Sequence, residues 1–317
     1  MQVGLLEPDR FDPAAIAQLR AMGHTVVPFD GRDLQEFLKP VEVLFVRLAH
    51  QIDAAFLARA PALRYLCSPT TGHAHMDEHE LAARGIRIVS LRGEQSFLET
   101  IRATPEHTFG LVLALLRRYR GAFAHVDGGG WDRDLFRGEE LYGQSVGIIG
   151  LGRVGFRVAS YCEAFGAQIS YVDTKEVKAA PSWQRLPSVR QLIEANRIII
   201  LCASYANGAT PILGKGEISA MRGRYLVNTA RGELVDEQAL LEAVEADALE
   251  GVATDVLSHE TGAHQLSRWN AAAAGRNIIV TPHIGGATFT AMARTENFIV
   301  GKLAQILDGT EKQHEAV

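Results

Sequence analysis

Short apolar runs alternate with stretches of helical spacing almost from one end of the chain to the other. Residues 2–6 read as a strand, after which Asp12-Pro13 opens a helical stretch through residue 21, with Gly23 as its stop. Apolar runs recur at 25–28, 41–46, 64–67 and 86–89, separated by helical segments at 34–38, 54–59 and 78–84. This alternation predicts a parallel sheet with helices on both faces.

A long helix is expected from Thr104-Pro105, with Thr104 as N-cap and Pro105 at the first helical position, running on through LVLALLRRYR. Residues 121–143, GAFAHVDGGGWDRDLFRGEELYG, break the periodicity with three consecutive glycines and read as an irregular arm, a linker or a subunit contact. A second βα series occupies 146–282, with apolar runs at VGIIG, QISYVD, IIILC, YLVNTA, GVATD and NIIVTP, as a six-stranded doubly wound sheet would need. In the last segment Met292, Ile299, Leu303 and Ile306 keep helical spacing up to Gly309, and one layout returns this helix to the first domain.

A chain of 317 residues holds about two domains at roughly 150 residues each. With 47% hydrophobic and 22% charged residues the composition is that of a globular protein rather than a disordered one. A net charge of −5 argues against nucleic-acid binding by bulk charge. No apolar run approaches the roughly 20 residues of a membrane span, and MQVGLLEPDRFD lacks the features of a secretory signal. A cytoplasmic location is expected. Cys67, Cys162 and Cys202 are far apart and form no C-x-x-C pair, so they read as small buried hydrophobes in a reducing compartment.

The sharpest local signal is Gly150-Leu-Gly152-Arg-Val-Gly155, which follows a strand and enters a helix. Gly150 would make the tight turn, Gly152 admit a pyrophosphate to the backbone, and Gly155 let helix pack on strand, with Arg153 and Val154 lining the same turn. The helix N-terminus offers N–H donors and partial positive charge to phosphates. Asp173, at the end of the next strand, would accept the ribose hydroxyls of NAD and repel the 2′-phosphate of NADP, a preference that Lys175 would soften.

Ligands of doubly wound sheets bind beyond the carboxyl ends of the strands. Three later strands end in Arg231, Asp255 and His283. Taken singly, these are as readily a surface ion-pair partner, a helix cap and a packing histidine. Together on one edge beside a cofactor loop they favour hydride transfer between a nicotinamide and a carbonyl or alcohol carbon. A histidine suits the proton, and an arginine's planar fork suits a carboxylate and a polarised carbonyl. Glu260, five residues after Asp255, is the candidate to hold the histidine's tautomer.

The stretches GIIGLGRVG, NTARGELVDEQAL, ATDVLSHE and TPHIGGAT, with TTGHAHMD, GEQSFLETIRATPEHT and the W-x-R of Trp131–Arg133, resemble the D-isomer-specific 2-hydroxyacid dehydrogenases in order and spacing. The resemblance implies that Arg231 binds the carboxylate and carbonyl of a small anionic 2-keto or 2-hydroxy acid, with His283 as acid/base and Glu260 as its partner. It implies that Asp255 faces the nicotinamide carboxamide, and that Thr229, Ala230 and the loop from His283 to Gly286 line the cofactor. Backbone N–H groups around Thr71 and Gly72 would give a second grip on the carboxylate, and Arg47 would touch a distal group of the substrate. It implies a Rossmann NAD-binding domain (101–287) inserted into a flavodoxin-like substrate domain (1–100 and 288–317), and a homodimer formed through the 121–143 arm.

Several positions depart from the family pattern. Leu201-Cys202-Ala203-Ser204-Tyr205 replaces the usual His-x-Pro-Leu-Thr run, so cofactor contacts there do not carry over. In Gly72-His73-Ala74-His75-Met76-Asp77, Ala74 and His75 stand where Asp-Asn is frequent, which leaves substrate identity open. His73, His75 and His79 have a spacing similar to metal ligands, but a solvated histidine-rich loop without metal is the expectation. Ending at Val317, the chain is expected to lack the regulatory domain appended to some phosphoglycerate dehydrogenases. Two alternatives stay open: a dehydrogenase of another small anion, formate or phosphite, and a non-catalytic NAD-sensing, corepressor-like protein.

Overall fold

The computed structural model describes residues 1–205, 208–260 and 265–309. They fall into two units, Met1–Ile101 together with the segment that begins at Ala287, and Arg102–Gly286.

The first unit holds β1 (Gln2–Leu5), β2 (Thr25–Pro28), β3 (Val43–Phe45), β4 (Tyr65–Ser68) and β5 (Arg87–Ser90). All pair in parallel in the order β2-β1-β3-β4-β5, the flavodoxin-like arrangement. The buried runs are short and lie between helices, which suits strands covered on both faces. On one face Val3, Leu5, Phe45 and Val89 pack with Ile299, Val300 and Leu303 of the helix Phe289–Leu307. On the other, Leu44 and Leu66 meet Leu38, Leu57 and Leu81. The helix Pro13–Ala21 starts as its sequence predicts: the Asp12 carboxylate accepts from Ala14 and Ala15 N–H at 3.1 and 3.2 Å, and Pro13 takes a position that needs no donor.

The second unit holds β6 (Ser145–Ile149), β7 (Gln168–Val172), β8 (Gln184–Arg185), β9 (Ile198–Leu201), β10 (Tyr225–Asn228), β11 (Gly251–Thr254) and β12 (Ile278–Val280). The order β12-β11-β10-β9-β6-β7-β8 is the Rossmann arrangement with one further strand, and the order reverses between β6 and β9. Among the described residues the sheet therefore has seven strands where six were expected. The extra one, β8, is two exposed residues pairing with Ser170 and Tyr171, and it carries no apolar run to announce it.

Two helical expectations need correction. The long helix runs Ala103–Leu116 with Arg102 at the cap position and no side-chain cap bond, so Thr104 lies inside it. Pro105 is still tolerated, because first-turn N–H groups have no partner within the helix. The arm is also less irregular than its glycines suggest: Tyr119–Asp127 is a helix with no buried residue, followed by a 3-10 turn at Arg133–Phe136. Its Tyr119, Phe123 and Val126 lie on one helical face and are exposed, as are Trp131 at 91% and Tyr142 at 77%. Among the described residues no helix is long and apolar enough to cross a membrane.

Candidate active site

The turn after β6 is shaped by three glycines with different tasks. Gly150 has φ +89°, and a Cβ there would lie 2.7 Å from the Ala203 Cα. A Cβ on Gly155 would lie 2.1 Å from the Gly150 carbonyl oxygen, so the helix Arg153–Ala164 packs against the turn only without one. Gly152 caps that helix with no side-chain hydrogen bond, and a Cβ there would meet nothing within 4 Å. Its side of the turn is open, which fits the close approach of a phosphate to the helix N-terminus. Val154 packs inward against the core, while burial pulls the Arg153 guanidinium below its ordinary pKa. Asp173 folds back on the same turn: Oδ2 accepts from Leu151 N–H and Oδ1 from Lys175 N–H, both at 2.8 Å. A carboxylate has about four lone-pair sites, so acceptor capacity remains for ribose hydroxyls.

At the end of β10, buried Asn228 organises the next turn, donating from Nδ2 to the Arg231 carbonyl and accepting at Oδ1 from Ala230 N–H, each at 3.0 Å. Thr229 is buried, its hydroxyl 2.7 Å from that of Thr108. Arg231 donates from Nη1 to the Ala230 carbonyl at 2.6 Å. Burial pulls its pKa below the ordinary value, with the charges of Glu260 and Glu233 opposing that shift.

His283 follows β12 with φ +53°, its N–H donating to the Asp255 carbonyl at 2.8 Å. Its Nδ1 lies 2.6 Å from Glu260 Oε2, and Glu260 Oε1 accepts from Leu257 N–H at 3.1 Å. With Nδ1 held by a carboxylate, Nε2 is the ring nitrogen that could exchange a proton with a ligand. Sequence spacing alone could not bring Glu260 to His283; the loops after β11 and β12 do. Asp255 turns inward instead of toward solvent. Its side chain is 2% exposed and accepts from the Thr281 hydroxyl at 2.6 Å, Ile284 N–H at 2.8 Å and Gly285 N–H at 2.7 Å. Burial raises its pKa, but these bonds and one from His107 outweigh it and hold the carboxyl below the usual range. Asp255 thus braces the loop that carries His283, whereas Gly286 at the loop's end is open. Asn228, His107 and Thr281 were not singled out from the sequence; a polar residue at the buried end of YLVN was the available signal.

In the first unit, Arg47 follows β3 and is committed within its own unit. Nη2 donates to Glu296 Oε1 at 2.6 Å, Nη1 to the Asp9 carbonyl at 3.0 Å, and the guanidinium sits 5.7 Å from the Phe11 ring centre. Thr71 is exposed and Gly72 half-buried, in a loop where the Thr70 hydroxyl donates to the Gly72 carbonyl at 3.1 Å. That loop is not the solvated histidine segment expected: His73 and His75 are each 5% exposed, and His73 Nε2 lies 2.9 Å from the Ser90 hydroxyl. Burial and Arg92 pull the His73 pKa down, against Glu78. Among the described residues no three His, Cys, Asp or Glu side chains gather as metal ligands. A cavity of about 430 Å³ opens at the opposite edge of the second unit, near Arg118, Arg276 and the starts of β11 and β12, and shares no residue with the candidate site.

A family model described as the NAD-binding domain of D-isomer-specific 2-hydroxyacid dehydrogenases matches residues 109–285. The chain is 30% identical over 315 residues to a D-3-phosphoglycerate dehydrogenase of Archaeoglobus fulgidus, covering 98% of this chain and 58% of that relative. It thus spans little more than half the length of that curated protein. It is 28% identical over 292 residues to a glyoxylate reductase of Thermofilum pendens, covering 89% of this chain and 83% of the relative. The crystal structure of the TT0316 protein of Thermus thermophilus superposes with a TM-score of 0.85 at 29% identity, covering 100% of both chains.

Proposed function

Because the chain belongs to the D-isomer-specific 2-hydroxyacid dehydrogenases, we propose that it exchanges a hydride between NAD(H) and a small anionic 2-hydroxy or 2-keto acid. The observation that carries this reading is the His283 Nδ1–Glu260 pair at 2.6 Å, with Arg231 within electrostatic reach of the same carboxylate. When bound, the nicotinamide supplies the hydride chemistry. Arg231 holds the substrate carboxylate and polarises its carbonyl, having no ion pair of its own among the described residues. His283 gives a proton from Nε2 to the carbonyl oxygen in reduction and takes it from the hydroxyl in oxidation, while Glu260 fixes the ring's tautomer and orientation. The glycine turn with Arg153 and Val154 takes the pyrophosphate, and Asp173 takes the ribose hydroxyls and disfavours NADP. Asp255 acts from beneath, by holding the Ile284 and Gly285 amides.

The relatives' names make 3-phosphohydroxypyruvate and glyoxylate the first acids to try, with formate and phosphite as the competing substrates. NADH absorbance followed with these acids, and with hydroxypyruvate and pyruvate, tests the reading. Reduction of at least one 2-keto acid is expected; tight NADH binding with no turnover of any would instead support a cofactor-sensing protein. His283→Ala should lower kcat about a thousandfold and leave NADH affinity intact. Near wild-type kcat in that variant removes His283 from the chemistry. The exposed apolar face of the Tyr119–Asp127 helix supports a homodimer, to be checked by light scattering.

A further inference from the structure

Glu237 is a buried carboxylate that the proton and substrate chemistry above does not use. It opens the helix Glu237–Glu245 and is 9% exposed. Its Oε1 accepts from the indole Nε1 of Trp269 at 2.6 Å, and its Oε2 accepts from the backbone N–H of Ser258 at 3.2 Å. Trp269 is itself 1% exposed, so one end of this link is anchored in the core. The other end is the loop after β11, where Leu257 N–H donates to Glu260. The same loop is pressed from a second side by the turn of Arg231: a Cβ on Gly232 would lie 2.1 Å from the Leu257 carbonyl carbon. Burying a carboxylate is unfavourable unless its oxygens are hydrogen-bonded, and here each oxygen serves a different segment.

We propose that Glu237 is a positioning residue: by clamping Ser258 N–H to the core through Trp269, it fixes the 257–260 loop so that Glu260 meets His283 beside Arg231. This rests on the acid–base reading of His283. Glu237→Gln keeps the shape but offers one acceptor and one NH₂ group, so whichever way the amide turns, one of the two N–H donors faces another donor. Val244→Ala, in the same helix and 4% exposed, is the control that loosens the core without touching the clamp.

Glu237→Gln should lower kcat about tenfold with KM for NADH unchanged, and alter the pH profile of kcat. It should also speed amide exchange at Ser258 and Leu257. Trp269→Phe should act in the same direction and serves if Glu237→Gln does not fold. Val244→Ala should lower Tm and leave kcat, pH profile and exchange at the loop as in the wild type. The proposal is overturned if Glu237→Gln loses stability as Val244→Ala does but keeps wild-type kcat, pH profile and Ser258 protection. If the wild type reduces no acid, the functional reading fails by itself. Amide exchange then still decides the clamp: acceleration confined to 257–260 supports it, and unchanged protection overturns it.

Discussion

Two arginines stand at strand ends, Arg47 after β3 and Arg231 after β10, and from the sequence both were expected at a substrate. Their surroundings differ in kind. Arg47 is paired with Glu296, whose side chain is 1% exposed and whose second oxygen accepts from Asp12 N–H at 2.7 Å. Its neighbour Ala49 N–H is in turn held by Glu7 at 2.6 Å. Arg231 makes no ion pair among the described residues, and its environment is one of burial with only partial compensation from Glu260 and Glu233. A cation whose charge is balanced on the spot fastens its own unit together. One left under-compensated in a half-buried turn is what the proposed grip on an anionic substrate requires.

Substitution should separate the two. Arg231→Ala should reduce kcat/KM for the 2-keto acid roughly a thousandfold, about 4 kcal/mol of transition-state stabilisation, with Tm close to the wild type. Steady-state kinetics beside a thermal melt checks this, and unchanged kcat/KM takes Arg231 out of the site. Arg47→Ala leaves the buried Glu296 carboxylate with only the Asp12 N–H and should destabilise by about 3 kcal/mol, measured by denaturant titration. If instead it keeps full stability and selectively raises KM, Arg47 belongs with the substrate after all.

The smallest effect is on pH dependence, where Glu296 and Asp255 should pull in opposite directions. Burial is the largest influence on Glu296 and raises its pKa above the ordinary 4.5 despite the donors from Asp12 and Arg47. The folded state then holds that proton more readily than the unfolded chain, so the contribution is full below pH 4.5 and fades as pH rises through the folded value. Asp255 is held below its ordinary 3.8, so its contribution is present above 3.8 and fades as pH falls through the lower folded value. Stability measured from about pH 3 to about pH 8 should therefore lose its fall on the high side in Glu296→Gln and part of its acid loss in Asp255→Asn. The same slope change from both variants would mean that one of these directions is wrong.

Most of the fold was legible because a buried parallel strand needs a run of apolar residues and a helix between strands needs a cap, and both leave marks at fixed positions. Val43–Phe45 and Ile198–Leu201 are such runs, and Asp12 is such a cap. What escaped is what leaves no mark of that kind. β8 is held by backbone pairing alone, and the Tyr119–Asp127 helix points its apolar residues outward with Gly121 in its interior. The site divides in the same way. Gly150 and Gly155 each answer to a backbone requirement that no other residue meets as easily, so their spacing is informative. Which way a carboxylate faces is settled by long-range partners, and nothing local in ATDVLSHE turns Asp255 toward Thr281, Ile284 and Gly285. His73 and His75 escaped for a related reason, since the polarity of a loop does not say whether the rest of the unit covers it.

The left-handed backbone of His283 limits how this protein can change. Among side-chain-bearing residues, that conformation is entered with least strain by asparagine, aspartate and histidine, while β-branched residues are excluded from it in practice. β-Branched replacements at this position would therefore disturb the path of the loop as well as remove the imidazole. On the proposed acid–base reading of His283, drift to another acid–base residue is correspondingly narrow. A lineage that abandoned the chemistry but kept the loop would be expected to carry asparagine or glycine there, a trace that could be read in sequence long after the activity had gone.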